Sequence, residues 1–513
     1  MRQKKYFGVV EGFFSAPRKM WSNDERINLL KFIIKHCPNL NTYFYCPKDD
    51  PFVRIKWSRL YSKQALDSVK KVFNLCHKAK LAFIYGLNPD FDLAKIKKDY
   101  PAYLKTITKK LNQLKQIGIK DFCILYDDIP FAYNVTEKAK EENDNYIGQI
   151  HARVLNDLLK NFKNSKFWLC PPDYFFQEKT PYLKALCANL SREILLLWTG
   201  HKIFTPFISR RLLQKTQTNL NPGRKLIWWD NYPVNDCEHI KGTFHIGAFN
   251  HPKPSVLKNL QGALINPMRE AYANYPAFYT ASLFMENQQK YNREQALKAF
   301  FKKFFGSNWE SFFRIYTSFS NKNCVDNEPR EYMKKLSKIN SKKELAKILA
   351  SFKKDLETID NDKKTKNKTK QNFLKETNYI LKKAKIYLKI FEAILNQTEW
   401  EKAFIELDKF PVTARKEFLT KIYDVTTKKF KFLTRKKAES LKLKHTYRSI
   451  KKIYAKYQGI SRLKITPKDN EILLNQLEDF LKTERNCFKK HLKDLSKTQK
   501  IKEIVKRSFI NVY

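Results

Sequence analysis

Apolar residues follow two alternating rhythms over the first 280 or so positions. Short runs at Tyr6–Val10, Leu40–Tyr45, Leu81–Tyr85, Phe122–Tyr126, Phe167–Leu169, Ile194–Trp198, Leu226–Trp229 and Ala263–Ile265 are rich in β-branched and aromatic residues. They have the length and composition of buried strands. Between them lie amphipathic stretches such as Glu25–His36, Gln64–Lys80, Tyr103–Ile117 and His151–Phe162, with apolar residues at helical spacing. Eight strand–helix units in about 280 residues predict an α/β fold of the (β/α)8 barrel type. A doubly wound open sheet is the alternative, but no glycine-rich phosphate loop follows the first strand to support it.

Beyond Thr280 the rhythm is helical alone. Leu283 to Phe305 and nearly everything after Phe312 place Leu, Ile and Phe at helical spacing with lysine elsewhere. This predicts a catalytic barrel over residues 1–285 and a Lys-rich all-α helical domain over 286–513. The lysine-rich run Lys363–Lys370 reads as an exposed loop between helices, with Pro411 and Pro467 as further breaks. Leu381, Leu388, Phe391 and Leu395 read as positions that pack a bundle.

Composition and charge narrow this picture further. Glycine and proline number only 12 and 20 in 513 residues, which argues against long disordered linkers. No stretch of about 18 apolar residues occurs, so no membrane span is predicted. The basic start Met1–Lys5 is followed by an apolar segment that Glu11 and Arg18 interrupt, a strand rather than a signal peptide. The nine cysteines show no CxxC pair or zinc spacing; reduced thiols in a cytoplasm are expected. The sequence is equally compatible with delivery elsewhere by a route without a cleaved signal. The net charge is +49, of which +28 falls on residues 301–513. Such a field attracts an acidic partner, although solvated lysine-rich helix surfaces are the simpler account, and no arginine-rich run or zinc finger points to nucleic acid.

The candidate chemistry sits where the strands end, as a barrel requires. Phe122–Tyr126 stops in Asp127-Asp128. An isolated Asp-Asp would read as a loop or cap, but the other strand ends are also polar or aromatic. They carry Glu11-Gly12-Phe13, Pro47-Lys48-Asp49-Asp50-Pro51, Pro171-Pro172-Asp173-Tyr174, Trp198-Thr199-Gly200, Trp229-Asp230-Asn231 with Asp236, and Asn266-Pro267-Met268. Carboxylates and amides for hydroxyls, aromatic faces for C–H patches and an acid for a leaving oxygen suit glycoside cleavage. Metal-dependent hydrolysis is the competing use of paired aspartates, but no histidine cluster accompanies them. His36, His77 and His151 read as surface or packing residues, and Asp49, Asp50 and Asp230 as loop and turn residues. No cofactor and no metal is expected.

Together with Asn41-Thr42-Tyr43, these strand-end motifs resemble glycoside hydrolase family 84, the O-GlcNAcases and their bacterial β-N-acetylglucosaminidase relatives, in order over about residues 6–280. The resemblance implies retaining hydrolysis in which the substrate's own 2-acetamido group is the nucleophile, an exception to the two-carboxylate scheme. It further implies that Asp127 orients the acetamido group and that Asp128 is the general acid and then the base. Gly12, through its carbonyl, and Lys48 would meet sugar hydroxyls, and Tyr174 the acetamido carbonyl. Trp229 would wall the acetyl-methyl pocket, Asn231 would support the acetamido group, and Asp236 and Asn266 would hold hydroxyls on the far edge of the ring. Departures from the family pattern, Phe14-Ser15, Pro172-Asp173-Tyr174 and His201, alter the rim rather than the acid pair. The substrate implied is a GlcNAc-bearing glycoprotein or glycan. A hyaluronidase-like or free-glycan hexosaminidase is an alternative, and so is a glycan-binding pseudo-enzyme whose basic helices hold an anionic partner. A homodimer through the helical domain follows the same resemblance.

Overall fold

Eight parallel strands close into a barrel in sequence order: β1 (Tyr6–Glu11), β2 (Thr42–Tyr45), β3 (Ala82–Leu87), β4 (Asp121–Leu125), β5 (Lys166–Cys170), β6 (Leu195–Trp198), β7 (Leu226–Asp230) and β8 (Gly262–Ile265). The last strand pairs back onto the first, with Tyr6 opposite Gly262. The computed structural model describes residues 5–396 apart from 16–19, 128–136, 177, 221–223, 237–243, 250–253, 321–330, 337 and 363–364. Around the barrel lie α1 (Asn23–His36), α2 (Lys63–Lys78), α3 (Leu93–Lys98), α4 (Tyr100–Gln116), α5 (Glu137–Asn161), α6 (Pro181–Asn189), α7 (Arg210–Asn219) and α8 (Pro254–Leu257). Every strand read from the apolar runs is present, and the (β/α)8 barrel stands.

Side chains alternate across each strand, and this parity divides the core in two. Val10, Phe44, Ile84, Cys123, Leu125, Trp168, Leu197, Trp229 and Leu264 are among the buried residues that fill the barrel's interior. Their neighbours in sequence, among them Val9, Tyr43, Tyr85, Ile124, Leu169 and Trp228, join the layer between strands and helices. Local signals set where the helices begin. Ser22 and Glu25 form a reciprocal cap on α1, while Thr180 caps α6 ahead of Pro181.

After β8 the described elements are helical, among them α9 (Tyr275–Glu286), α10 (Arg293–Phe305), α11 (Trp309–Phe319), α12 (Glu331–Leu336), α13 (Lys342–Asn361) and α14 (Lys368–Asn396). Leu381, Leu388 and Phe391 are buried in this packing and Leu395 is partly buried. The centre of the packing also holds a polar knot: Arg314 donates to both carboxylate oxygens of Asp355 at 2.7 Å, joined there by Ser311 and Tyr332. Burial alone would raise the Asp355 carboxyl, but these donors hold it below the ordinary value. The expected loop over 363–370 is shorter than the lysine pattern suggested. Lys368–Lys370 already belong to α14, and Lys370 is buried against Asp362 at 2.8 Å. Its four methylenes are apolar and let it pack like a hydrophobic residue. Pro411 and Pro467 lie outside the described residues.

One half-buried carboxyl links α14 to the barrel. Glu376 accepts the N–H of Ala273 at 2.7 Å, just past β8. Burial, and then the charge of Glu270, pushes its carboxyl up to about 8. A raised carboxyl is protonated when folded and ionised when unfolded, so its contribution is present at low pH and is lost as pH rises toward 8. Glu376→Gln keeps the acceptor without the charge. The variant is expected to melt about 2–5 °C above the parent at pH 8.5 and close to it at pH 5; thermal melts with identical pH slopes for the two proteins would refute this.

Candidate active site

The C-terminal ends of the strands bring the sequence-derived residues together in two groups. The first spans β1, β7 and β8. Asn231 Oδ1 accepts from Trp229 Nε1 and from Asn266 Nδ2, both at 2.9 Å. Asn266 Oδ1 in turn accepts the Gly12 N–H at 3.3 Å, and Asn231 Nδ2 donates to the Ile203 carbonyl at 2.8 Å. Each amide thus has one nitrogen-bound hydrogen committed among the described residues and a second left for a ligand. Gly12 is pressed against Trp229: a Cβ there would lie 2.1 Å from Cζ2 of the indole. The glycine is therefore required by protein packing, before any question of a sugar approaching the backbone. Asp236 reaches back to the same edge, accepting the Phe14 N–H at 2.9 Å.

The second group spans β2, β3 and β4. Asp127 continues the inward parity of Cys123 and Leu125 and is 6% exposed. Its Oδ2 is in an ion pair with the Lys48 ammonium, which is 3% exposed. Its Oδ1 accepts from Asn88 Nδ2 at 3.3 Å. A buried ion pair is costly to desolvate unless it is well bonded. Here the carboxylate has a donor on each oxygen, so its orientation is set before any substrate arrives. Asp128, the expected general acid, lies outside the described residues.

Tyr174, half-buried, packs against the interior cluster that holds Trp229 and Cys170. Its position is braced by the next strand end. Thr199 donates its N–H to the Tyr174 carbonyl at 2.9 Å, and Trp198 Nε1 to the Phe176 carbonyl at 2.8 Å. Gly200 follows at φ +106°, where a side chain would also strike Thr205. The Trp-Thr-Gly motif is thus a brace for the Tyr174 loop. At the rim, Ser15 donates from N–H and hydroxyl to Asp49 at 2.5 and 2.6 Å.

Several residues differ from their sequence-based roles. Asp50 does form a turn, accepting the Phe52 N–H at 2.9 Å, but it also receives the hydroxyls of Tyr45 and Tyr61 at 2.9 and 3.0 Å. Burial pushes both phenols well up, so they remain donors. Asp230 is the last residue of β7 rather than a loop residue, and its full burial raises the carboxyl far above the usual range. His151 is a packing residue, as expected: fully buried, it stacks on Tyr126 with ring centroids 3.6 Å apart, and burial keeps its imidazole neutral by lowering it well below 6.5. His77 is exposed.

Two further residues contribute: Glu11, to which the motif after β1 assigns no role, and Asn88. Glu11 turns away from the barrel interior and anchors β1 through a bidentate pair with Arg26, at 2.7–3.0 Å, and the Tyr43 hydroxyl at 2.5 Å. Asn88 follows β3, the strand end from which no candidate was taken. Its signal was positional: Ala82, Ile84 and Gly86 face inward, and two residues further the same side carries an amide at the barrel mouth.

A family model described as beta-N-acetylglucosaminidase matches residues 7–317. The chain is 28% identical over 289 residues to the proteins named protein O-GlcNAcase from Rattus norvegicus and from Mus musculus, an alignment that covers 55% of this chain. It spans 30% of the length of these curated relatives. Among solved structures, a mutant O-GlcNAc hydrolase of Thermobaculum terrenum superposes with a TM-score of 0.67 at 22% identity, covering 83% of this chain and 90% of that one. That likeness extends the shared fold past the barrel into the helices.

Proposed function

The chain belongs to the β-N-acetylglucosaminidases of glycoside hydrolase family 84, and on that premise we propose that it is a retaining enzyme that releases N-acetylglucosamine from modified proteins by acetamido-assisted catalysis. The observation that carries the reading is the buried Asp127 carboxylate, gripped by Lys48 and Asn88 and aimed into the barrel mouth. Such an oriented acceptor suits the N–H of a 2-acetamido group. Accepting that hydrogen bond makes the acetamido oxygen a better nucleophile. The oxygen attacks C1 as the C1–O bond to the leaving group breaks, and Asp128 supplies the proton the leaving oxygen takes up. Asp127 takes up the N–H proton as the ring closes to an oxazoline and returns it when water, deprotonated by Asp128, opens the ring at C1, so the sugar leaves with its configuration retained.

The other roles follow the two groups. Trp229 walls the acetyl-methyl pocket, with Tyr174 toward the acetamido carbonyl and Asn231 supporting the group. Asn266, Asp236, Lys48 and the Gly12 carbonyl take hydroxyls. The protein-linked substrate rests on the name of the curated relatives. A cytoplasmic setting is supported by six free, buried cysteines among the described residues; no described helix is long and apolar enough to cross a membrane. The reading also assigns catalysis to residues 1–285 and a Lys-rich helical domain to 286–513, with a family match that runs past that boundary to 317.

Hydrolysis of a chromogenic N-acetyl-β-glucosaminide by the pure protein tests the activity, and release of the sugar from a modified protein tests the substrate. Binding of N-acetylglucosamine without turnover would replace the enzyme by a glycan-binding module. If the basic helices recruit an acidic partner, turnover of an acidic glycoprotein falls as salt rises through about 0.15 M, where the Debye length is about 8 Å. Turnover of the neutral glycoside stays constant over that range. Salt-independent turnover of both, with a monomer in sedimentation, would leave the helices as support for the barrel rather than a dimer or docking surface.

A further inference from the structure

We infer that Asn88 is a positioning residue of the reaction, setting the direction of the Asp127 carboxylate and the course of the chain as it leaves β4. The inference rests on the reading of Asp127 given above. Asn88 is 5% exposed and stands between the two loops that carry the central ion pair. On one side its N–H donates to the Val53 carbonyl at 2.8 Å, in the loop that follows Lys48. On the other, its side-chain nitrogen lies 2.7 Å from the Leu125 carbonyl, 3.4 Å from the Asp127 carbonyl and 3.3 Å from Asp127 Oδ1.

These three neighbours are all oxygens without hydrogens, so only the nitrogen end of the amide fits there, and its orientation is not ambiguous. The amide has two hydrogens for three acceptors. The shortest contact fixes one on the Leu125 carbonyl, the last of β4. The other is shared between the backbone and the carboxylate of Asp127. One side chain therefore ties the strand end, the turn and the reacting group into a single unit. One step down the same face the packing is close: a Cβ on Gly86 would fall 2.5 Å from Cys46 and 2.9 Å from Leu125. Lys48 supplies charge to Oδ2 but hangs on a flexible chain, whereas the planar amide restrains the carboxylate about its own axis. A group held within a few tenths of an ångström is what an acceptor acting on a reacting acetamide requires.

The test uses the full chain with three variants, Asp127→Asn, Asn88→Ala and the near-isosteric Asn88→Asp, assayed on an activated aryl N-acetyl-β-glucosaminide. Turnover by the parent and its loss in Asp127→Asn establish the reading on which the inference rests; without them that reading fails first, and separately. With them, Asn88→Ala is expected to lower kcat about 10- to 100-fold with KM within about 3-fold. Asn88→Asp places an acid oxygen against three acceptors. Its activity should fall and the acidic limb of its kcat/KM profile should move to higher pH, because a new negative charge beside Asp127 favours protonation there. A purely structural role lowers the melting temperature without moving that limb. If Asn88→Ala does not fold, the pH profile of Asn88→Asp decides alone. An unmoved acidic limb in Asn88→Asp, or kcat within about 3-fold of the parent in a folded Asn88→Ala, overturns the inference.

Discussion

Asp127→Asn is expected to lower kcat/KM by about 10²- to 10⁴-fold, by a similar factor for aryl glycosides with good and with poor leaving groups. The amide keeps the size of the carboxylate and one acceptor oxygen, but it loses the charge that polarises the acetamido N–H. In the proposed mechanism acetamido attack is needed whatever the aglycone, so the loss is indifferent to it. Asp128→Asn should behave differently. Its deficit should be small for an activated phenol, which leaves without a proton, and should grow steadily as the leaving group becomes more basic. Rates across a series of aryl glycosides check both, and parallel dependence on leaving-group basicity would remove the division of labour. Asp127→Asn also removes the charge of one member of the buried Lys48–Asp127 ion pair, a loss of about 3–5 kcal/mol where such pairs are broken. Adding Lys48→Met should recover much of that stability and none of the rate, which separates the two roles of the carboxylate.

Strand parity makes much of this site legible in the sequence. A strand exposes alternate residues to one side, so once Phe122–Tyr126 is recognised as a strand the inward series reaches Asp127. The polar residues at the other ends then fall around the same mouth because parallel strands all end there. Roles that depend on what a side chain touches were less legible. Gly12 looked like a site for a sugar, but it is Trp229, 217 positions away in sequence, that leaves no room for a Cβ. Glu11 belongs to a family-like motif, yet its carboxylate faces outward to Arg26 and Tyr43. Asp230 sits in a dipeptide of loop type, but the strand extends to include it and buries it. Asn88 carried no composition signal, since an Asn before a Pro is ordinary turn chemistry. Its importance comes from the neighbouring strand, whose register sets the Leu125 carbonyl within its reach.

The helical region shows the same limit from another direction. Apolar spacing identified the buried positions on α14, because a helix must bury its apolar stripe whatever it packs against. Spacing has no term for a buried charge, so it could foresee neither the inward turn of Lys370 toward Asp362 nor the Arg314–Asp355 knot. Both are pairs distant in the chain or between helices, settled by packing geometry alone.

Gly12→Ala tests that kind of packing dependence at the site itself. The added methyl would lie 2.1 Å from Cζ2 and 2.5 Å from Cη2 of Trp229, well inside van der Waals contact. Either the indole or the chain after β1 must move. Trp229 Nε1 is bonded to Asn231, and Asn231 to Asn266, which holds Gly12 in turn, so a shift at one member displaces all four. Overpacking of this sort costs about 1–3 kcal/mol, and a displacement near 1 Å at a reacting site costs about 10²-fold in rate. The variant should therefore be both less stable and less active, even with no ligand bound. Trp229→Phe shortens the ring that the methyl meets. In the double variant the stability loss should be smaller than the sum of the two single losses by about 1–2 kcal/mol, while activity stays low because the proposed acetyl-pocket wall is gone. Were the glycine needed only for close approach of a sugar, Gly12→Ala would melt with the parent, raise KM alone and show no coupling to Trp229. Melting curves of the four proteins in that cycle, measured without ligand, decide between the indole and the sugar as the reason for Gly12.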